Sequence, residues 1–300
     1  MVDFEQRVAI VTGAGGGLGR EHALLLASRG AAVVVNDLGG SVSGEGASQG
    51  AADAVVAEIE AAGGVAVAEH SSVADPDGGA AVVAKALDTY GRIDIVVNNA
   101  GILRDKSFAN LSPELLHPVL DVHLRGAFYV TRPAFAYMKE HGYGRIVFTT
   151  SGSGVMGNFG QANYGAAKMG LVGLMNVLKI EGARYGIRVN AVAPIAHTRM
   201  TEGLFGGIVQ LFSPKQVSPA IAYLVSEECD LTGEIWSVGG GSVSRFFIGL
   251  TDGYFKHPDD GHLTIEDIAA HVDDIRREID YIVPFSSEDE FGKLGPRLSK

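Results

Sequence analysis

The sequence predicts an α/β protein built on a doubly wound parallel sheet with helices on both faces. Short β-branched runs alternate with Ala- and Leu-rich stretches of helical length. The short runs are continuously apolar, which is the pattern of parallel strands buried on both sides. The first run feeds a glycine-rich turn that opens the first helical stretch. The expected strands are Val8–Thr12, Ala32–Asn36, 65–68, 93–98, 145–150, 188–193 and 234–238, and the clearest helices are 18–28, 50–62, 80–90 and 164–185.

Bulk properties narrow the class of function. The 300 residues suffice for one large core, and 46% hydrophobic with 20% charged residues describes a folded chain. A formal charge of −11 argues against nucleic acid or an anionic membrane as partner. Cys229 is the only cysteine, so no intrachain disulfide forms. No secretory leader, membrane-spanning run or peroxisomal C-terminal tripeptide is visible, and a cytoplasmic enzyme acting on a small molecule is expected. The histidines show no metal-binding spacing, so no metal is expected.

Two regions depart from the alternation. Residues 38–49 are Gly- and Ser-rich and read as a mobile loop. Beyond Gly241 the sheet pattern stops. Residues 1–241 therefore form the expected nucleotide-binding and catalytic domain, and 242–300 an extension that packs on the core or on a partner subunit. Within the extension, 264–281 looks helical. Thr264 and Asp267 form a capping pair, and Ile265, Ile268, Val272, Ile275 and Ile279 form an apolar stripe.

The glycine-rich turn contains Thr12, Gly13, Gly17, Leu18 and Gly19 between strand and helix. Glycine lets a diphosphate approach the backbone, and the helix N-terminus offers free N–H groups and partial positive charge. Asp37 follows the second strand, where a carboxylate accepts from ribose hydroxyls and repels a 2′-phosphate. No basic residue precedes Arg20 in the turn to offset it, so NAD is expected over NADP.

Tyr164 and Lys168 are spaced i, i+4 and share a helix face. One ammonium at ~5 Å stabilises a phenolate by roughly 3 kcal/mol, or about two pKa units, at an effective dielectric near 20. Such a pair suits general acid–base work. Ser151, just after the fifth strand, is placed to hold a substrate oxygen for Tyr164.

Together these motifs resemble the short-chain dehydrogenase/reductase family: TGxxxGxG at 12–19, NNAG at 98–101, Ser151, and YxxxK at Tyr164 and Lys168. The resemblance runs roughly over 7–241. It implies a Rossmann-like fold and reversible oxidation of a secondary alcohol by hydride transfer. Tyr164 would be the acid/base, Lys168 would lower its pKa and hold the ribose, and Ser151 would orient the substrate. It adds Ser72, Val73, Asn99, Ala100, Gly101, Pro194 and Thr198 to the cofactor contacts. The chain also departs from the family pattern. His123 stands where the family often has a catalytic asparagine, Pro194-Ile195 replaces Pro-Gly, and Ser71-Ser72-Val73 lacks the aspartate that commonly contacts adenine.

Within the family, VVVNDLGG at 33–40, RIDIVVNNAGILRDKSF at 92–108, VHLRG at 122–126 and GNFGQANYGAAK at 157–168 resemble the (3R)-hydroxyacyl-CoA dehydrogenase part of the peroxisomal multifunctional enzyme and its bacterial relatives. That resemblance implies NAD and a 3-hydroxyacyl-CoA or hydroxysteroid substrate. The chain is too short for the hydratase domain of the fused enzyme. Alternatives are a carbonyl reductase for another ketone and an idle NAD-binding regulator, which would not need Ser151, Tyr164 and Lys168 together. The broad apolar circumference of the Tyr164 helix, including Leu171, Leu174, Met175, Leu178 and Ile180, predicts a homodimer or homotetramer. Residues 200–212, with Gly203, Gly206 and Gly207 as hinges and Leu204, Phe205, Ile208 and Leu211 as lining, read as a lid.

Overall fold

The computed structural model describes residues 2–201 and 206–299. They fall into two compact units, Met1–Phe246 and Phe247–Lys300. The first carries the sheet. Its strands are β1 (Val8–Thr12), β2 (Ala32–Asn36), β3 (Val65–Glu69), β4 (Ile95–Asn98), β5 (Gly144–Thr149), β6 (Ile187–Pro194), β7 (Ile235–Gly239) and β8 (Ser242–Phe246). The order is β3-β2-β1-β4-β5-β6-β7-β8. All neighbours are parallel except β7 and β8.

Successive strand residues point to opposite faces, and each face has its own core. Ala9, Val11, Val33, Val35, Ile95 and Val97 join one cluster, whereas Val8, Ile10, Val34, Val96, Ile146 and Phe148 join the other. The first face is covered by α1 (Gly17–Ser28) and α2 (Gly50–Ala61). The second is covered by α3 (Pro76–Tyr90) and, after α4 (Pro113–Leu120), by α5 (Gly126–His141). A short α6 (Gly152–Val155) precedes the long α7 (Ala162–Gly182), which also packs on the second face. Helix α8 (Ser218–Leu224) returns to the first. Two helical layers around one parallel sheet explain why the strands read as unbroken apolar runs.

The strand order reverses at β1. The chain runs outward from β1 to β3 and then crosses back to β4 on the other side of β1. The ends of β1 and β4 therefore flank a crevice, the position where open α/β sheets bind ligands.

Three local expectations change. The sheet does not stop at Gly241, because Gly240 and Gly241, at φ +57° and +79°, close a tight hairpin and β8 pairs antiparallel with β7. The 38–49 loop is tied down rather than free: Ser48 N–H donates to Leu38 O at 2.9 Å, and Leu103 N–H to Val42 O at 2.9 Å. In the second unit the Thr264–Asp267 capping box is present, but the expected single helix is two, α9 (Ile265–Ala270) and α10 (Val272–Arg276). It breaks at His271, whose ring stacks on Tyr254 and whose Nδ1 pairs with Asp274. A last helix, α11 (Ser287–Leu298), has no counterpart in the sequence reading, since its apolar positions are few and Pro296 lies inside it.

Candidate active site

The glycine turn is built by contact across the switch point. Gly13 has φ +63°, and a Cβ there would lie 2.7 Å from the Ala100 Cα. A Cβ on Gly19 would lie 2.2 Å from the Gly13 carbonyl oxygen, so this turn and the first turn of α1 accept only glycine at both positions. The neighbouring strand locks the turn. Asn99 Nδ2 donates to Thr12 O at 3.0 Å and Gly13 O at 3.1 Å, while the Asn99 and Ala100 N–H groups donate to Thr12 Oγ1 at 3.0 and 3.1 Å. Thr12, Asn99 and Gly19 thus shape the cradle from beneath.

Above it lies a cleft of about 380 Å³. Of the residues expected to meet a cofactor, Gly13, Gly17, Leu18, Asp37, Ser72, Val73, Asn99, Ala100, Gly101 and Thr198 line it. Thr12, Gly19 and Pro194 do not, nor do Tyr164 and Lys168, also expected to meet the cofactor. Pro194 instead closes β6 opposite Val238. Asp37 Oδ2 accepts from Gly15 N–H at 2.7 Å and Oδ1 from Gly39 N–H at 2.6 Å, which fixes the carboxylate at the cleft. A Cβ on Gly16 or Gly17 would meet only Arg199 or Thr198, at 3.6 Å or more. The open space over the start of α1, the free helix N-terminus and the fixed carboxylate fit the diphosphate and ribose of a dinucleotide.

Sequence reasoning missed several parts of this cleft, Ile102, Pro118, Asp121 and Val122 among them. Leu38, Gly40, Ser41, Val42 and Gly44 of the pinned loop line it, as does Arg199. Arg199 Nη2 lies 3.8 Å from where a Gly16 Cβ would sit. Low complexity hid the loop, and Arg199 is remote in sequence from the glycine turn.

Tyr164, with Ser151 and Lys168 beside it, connects to the cleft through His123 and Gly101. A Cβ on Gly101 would strike the His123 ring at 2.3 Å, and that ring stands against Tyr164. Ser151 caps α6, accepting from Ser153 N–H at 3.1 Å, and its hydroxyl neighbours the Tyr164 phenol closely enough to help hold down that group's pKa. Lys168 is buried. Its Nζ lies 5.5 Å from the Tyr164 ring centre and donates to Thr149 O at 2.5 Å.

The electrostatics correct the sequence argument. Burial raises the Tyr164 pKa above its ordinary 10.0; the Ser151 hydrogen bond opposes this and Asp105 adds to it. Burial also drives the Lys168 ammonium from 10.5 down to about 7. Desolvation, not the lysine charge, therefore sets the direction for the tyrosine in the protein alone. A lone charge is costly on either group, so a phenolate–ammonium pair is the charged state the site tolerates best.

His123 lies in a π-helical turn, Asp121–Arg125, between α4 and α5. Its Nε2 meets Ile102 N–H at 3.0 Å and Ile102 O at 2.8 Å. Among the described residues its buried Nδ1 has no partner. Burial first, and then the Lys168 charge, hold its pKa well below 6.5. Burial thus favours the neutral imidazole.

Of the expected lid, Gly203, Leu204 and Phe205 lie outside the described residues. Thr201 ends one 3₁₀ turn, Gly206–Phe212 forms another, and Ile208 and Leu211 are exposed. No group of residues among those described has the make-up of a metal site, and no described helix is long and apolar enough to cross a membrane.

A Rossmann-like sheet with a glycine cradle at its switch point and a Ser–Tyr–Lys set beside it defines a nucleotide-dependent oxidoreductase. The short chain dehydrogenase family model matches residues 7–206, and the chain belongs to that family. It is 50% identical over 273 residues to a short-chain type dehydrogenase/reductase of Mycobacterium tuberculosis, covering 90% of this chain and 94% of the relative. It is also 50% identical over 279 residues to peroxisomal multifunctional enzyme type 2 of Drosophila melanogaster, covering 91% of this chain but only 46% of that enzyme. The solved full-length structure of that enzyme superposes with a TM-score of 0.83 at 39% identity, over 99% of this chain and 50% of the other. A hydroxyacyl-CoA dehydrogenase of Mycobacterium tuberculosis is 37% identical over 258 residues, 81% of this chain and 80% of its own.

Proposed function

We propose that this oxidoreductase converts the secondary alcohol of a (3R)-hydroxyacyl-CoA, or of a hydroxysteroid, to the ketone, with NAD as hydride acceptor and Tyr164 as acid/base. The observation that carries the reading is the Lys168 ammonium 5.5 Å from the Tyr164 ring centre on one helix face, with the Ser151 hydroxyl acting on the same phenol. Similarity to a relative named hydroxyacyl-CoA dehydrogenase supports the substrate class.

Oxidised nicotinamide supplies the hydride acceptor when bound. Ser151 Oγ holds the substrate oxygen. Tyr164 Oη takes the hydroxyl proton in oxidation and returns it in reduction. Lys168 offsets the negative charge that appears on the phenol oxygen, in surroundings where water is scarce. Asp37 lines the cleft, where its carboxylate would accept from ribose hydroxyls and disfavour a 2′-phosphate, which supports NAD. The extra subunit contacts expected of a homodimer or homotetramer would fall on an uncovered stripe of α7: Met169, Gly173, Val177 and Ile180 share one face, and Val177 and Ile180 are 51% and 48% exposed. A single cysteine, buried, suits the cytoplasm as its compartment.

The test is NADH formation with 3-hydroxyacyl-CoA thioesters of rising length and a hydroxysteroid. The reading expects (3R)-thioesters or the steroid to be turned over, with KM falling as the apolar part grows. Turnover of small alcohols alone would point to a different ketone reductase.

A further inference from the structure

We infer that Arg104 is a positioning residue that ties the roof of the dinucleotide cleft to Tyr164, so that filling the adenosine end of the cleft firms the first turn of α7. This rests on the dinucleotide reading and goes beyond it, because Arg104 touches neither the cleft lining nor the reacting groups.

The strap is continuous in the structure. Leu38, Ser41 and Val42 of the 38–48 loop line the cleft. Residues 103–106 run beneath that loop. Leu103 N–H donates to Val42 O at 2.9 Å, and Arg104 Nε donates to Ser43 O at 2.8 Å. The other side of the same segment is stitched to the entry of α7. Asn163 Nδ2 donates to Arg104 O at 2.9 Å, Gln161 Nε2 to Asp105 Oδ2 at 2.7 Å, and Lys106 N–H to Gly160 O at 2.8 Å. Arg104 Nη1 reaches Glu114 O at 3.0 Å on α4.

Asn163 passes the constraint to the catalytic residue. It is fully buried; its Nδ2 also donates to Leu115 O at 2.9 Å, and its Oδ1 accepts from Tyr164 N–H at 2.8 Å. Gln161 gives α7 no side-chain cap, so the Asn163 amide does that work. The Arg104 and Asn163 side chains each bridge two backbone carbonyls, and losing either leaves polar groups unpaired. The glycine-rich roof is exposed over residues 44–48 and is bonded to the strap at Val42 and Ser43, so a nucleotide seated against it can firm it further. Ordering at one end of a hydrogen-bonded segment favours ordering at the other, and the coupling is reciprocal.

The experiment uses ADP, which fills the adenosine and diphosphate positions and is too short to reach Tyr164. Amide hydrogen exchange is followed in the full chain with and without saturating ADP. In the wild type, ADP should slow exchange at residues 13–19, at 38–48 and, at least threefold, at 163–165. In Arg104→Ala, which removes the bonds to Ser43 and Glu114 but keeps the main-chain links, the protection at 13–19 should persist and that at 163–165 fall by at least half. Arg104→Lys, which keeps the charge but not the fork to Ser43 and Glu114, should lie between and serves if the alanine variant does not fold. Unchanged exchange at 163–165 in wild type, or undiminished protection there in the Arg104 variants, overturns the strap. Absence of any ADP effect at 13–19 in the wild type overturns the dinucleotide reading itself, and the strap with it.

Discussion

The His123 imidazole stands edge-on to the Tyr164 ring, with centroids 5.1 Å apart and planes at 89°. The ring stands between Tyr164 and Gly101, just past β4, while Nε2 bonds one Ile102 backbone group, its N–H or its carbonyl according to tautomer. His123→Asn keeps a polar group toward Ile102 and should retain kcat within about tenfold. His123→Leu strands a buried Ile102 backbone group and should cost roughly 1–3 kcal/mol in stability. Urea unfolding and steady-state kinetics on both variants check this. An asparagine variant as dead as the leucine one would give the imidazole a chemical role.

Tyr164→Phe removes only the titratable oxygen. It should lose nearly all turnover yet bind NAD normally, as read by fluorescence titration. Residual kcat above a few per cent of wild type would refute the acid/base assignment.

Lys168→Met should lose turnover and gain stability at low pH. The folded pKa of about 7 lies below the ordinary 10.5. Between these values the unfolded chain holds the extra proton, so wild-type stability climbs as pH rises through that window. Below pH 7 the buried ammonium costs up to about 5 kcal/mol, offset in part by its bond to Thr149. The variant should therefore melt a few degrees higher than wild type at pH 6, with the gap closing toward pH 10. A gap that grows with pH would contradict the burial argument.

His22 is buried at the α1–α8 contact, its Nδ1 2.8 Å from Ser218 Oγ, and burial lowers its pKa from 6.5 to about 3. Here too the folded state refuses a proton that the unfolded chain accepts, so stability should fall as pH drops from 6.5 toward 3. The shift corresponds to a loss on the order of 4–5 kcal/mol. His22→Asn should be less stable at pH 7 but flatter with pH. Urea midpoints at pH 7, 5 and 4 decide it, and parallel curves for the two proteins would place the acid sensitivity elsewhere.

Asp37 should make NAD the better cofactor by kcat/KM. Asp37→Ala should narrow the gap, helped by Arg199, whose guanidinium lies by Gly16. Equal use of both cofactors by the wild type would sink the assignment. On α7, Val177→Glu puts a charge in the uncovered stripe and should shift the assembly toward monomer in light scattering. A wild-type monomer at micromolar concentration would remove the basis for that stripe as an interface.

Local chemistry determined much of this protein. Unbroken apolar runs such as Val33, Val34 and Val35 require burial on both faces, and only a parallel sheet between two helical layers provides it. Glycines at 13, 17 and 19 and the Tyr164–Lys168 spacing are short-range signals, readable without knowing which strands pair. What needed the tertiary structure was whatever depends on neighbours distant in sequence. The charge logic of Tyr164 and Lys168 follows from how deeply they are buried, which spacing does not encode. The 38–48 loop looked mobile because its own residues are small and polar, yet its order comes from Leu103 and Arg104, about sixty positions away. Arg199 approaches Gly16, and Asn163 joins Arg104 to Leu115, only because the sheet brings strand ends together at its switch point. Sequence carries the pattern of burial and turns, whereas contacts made across the sheet set the electrostatics and the couplings of the site.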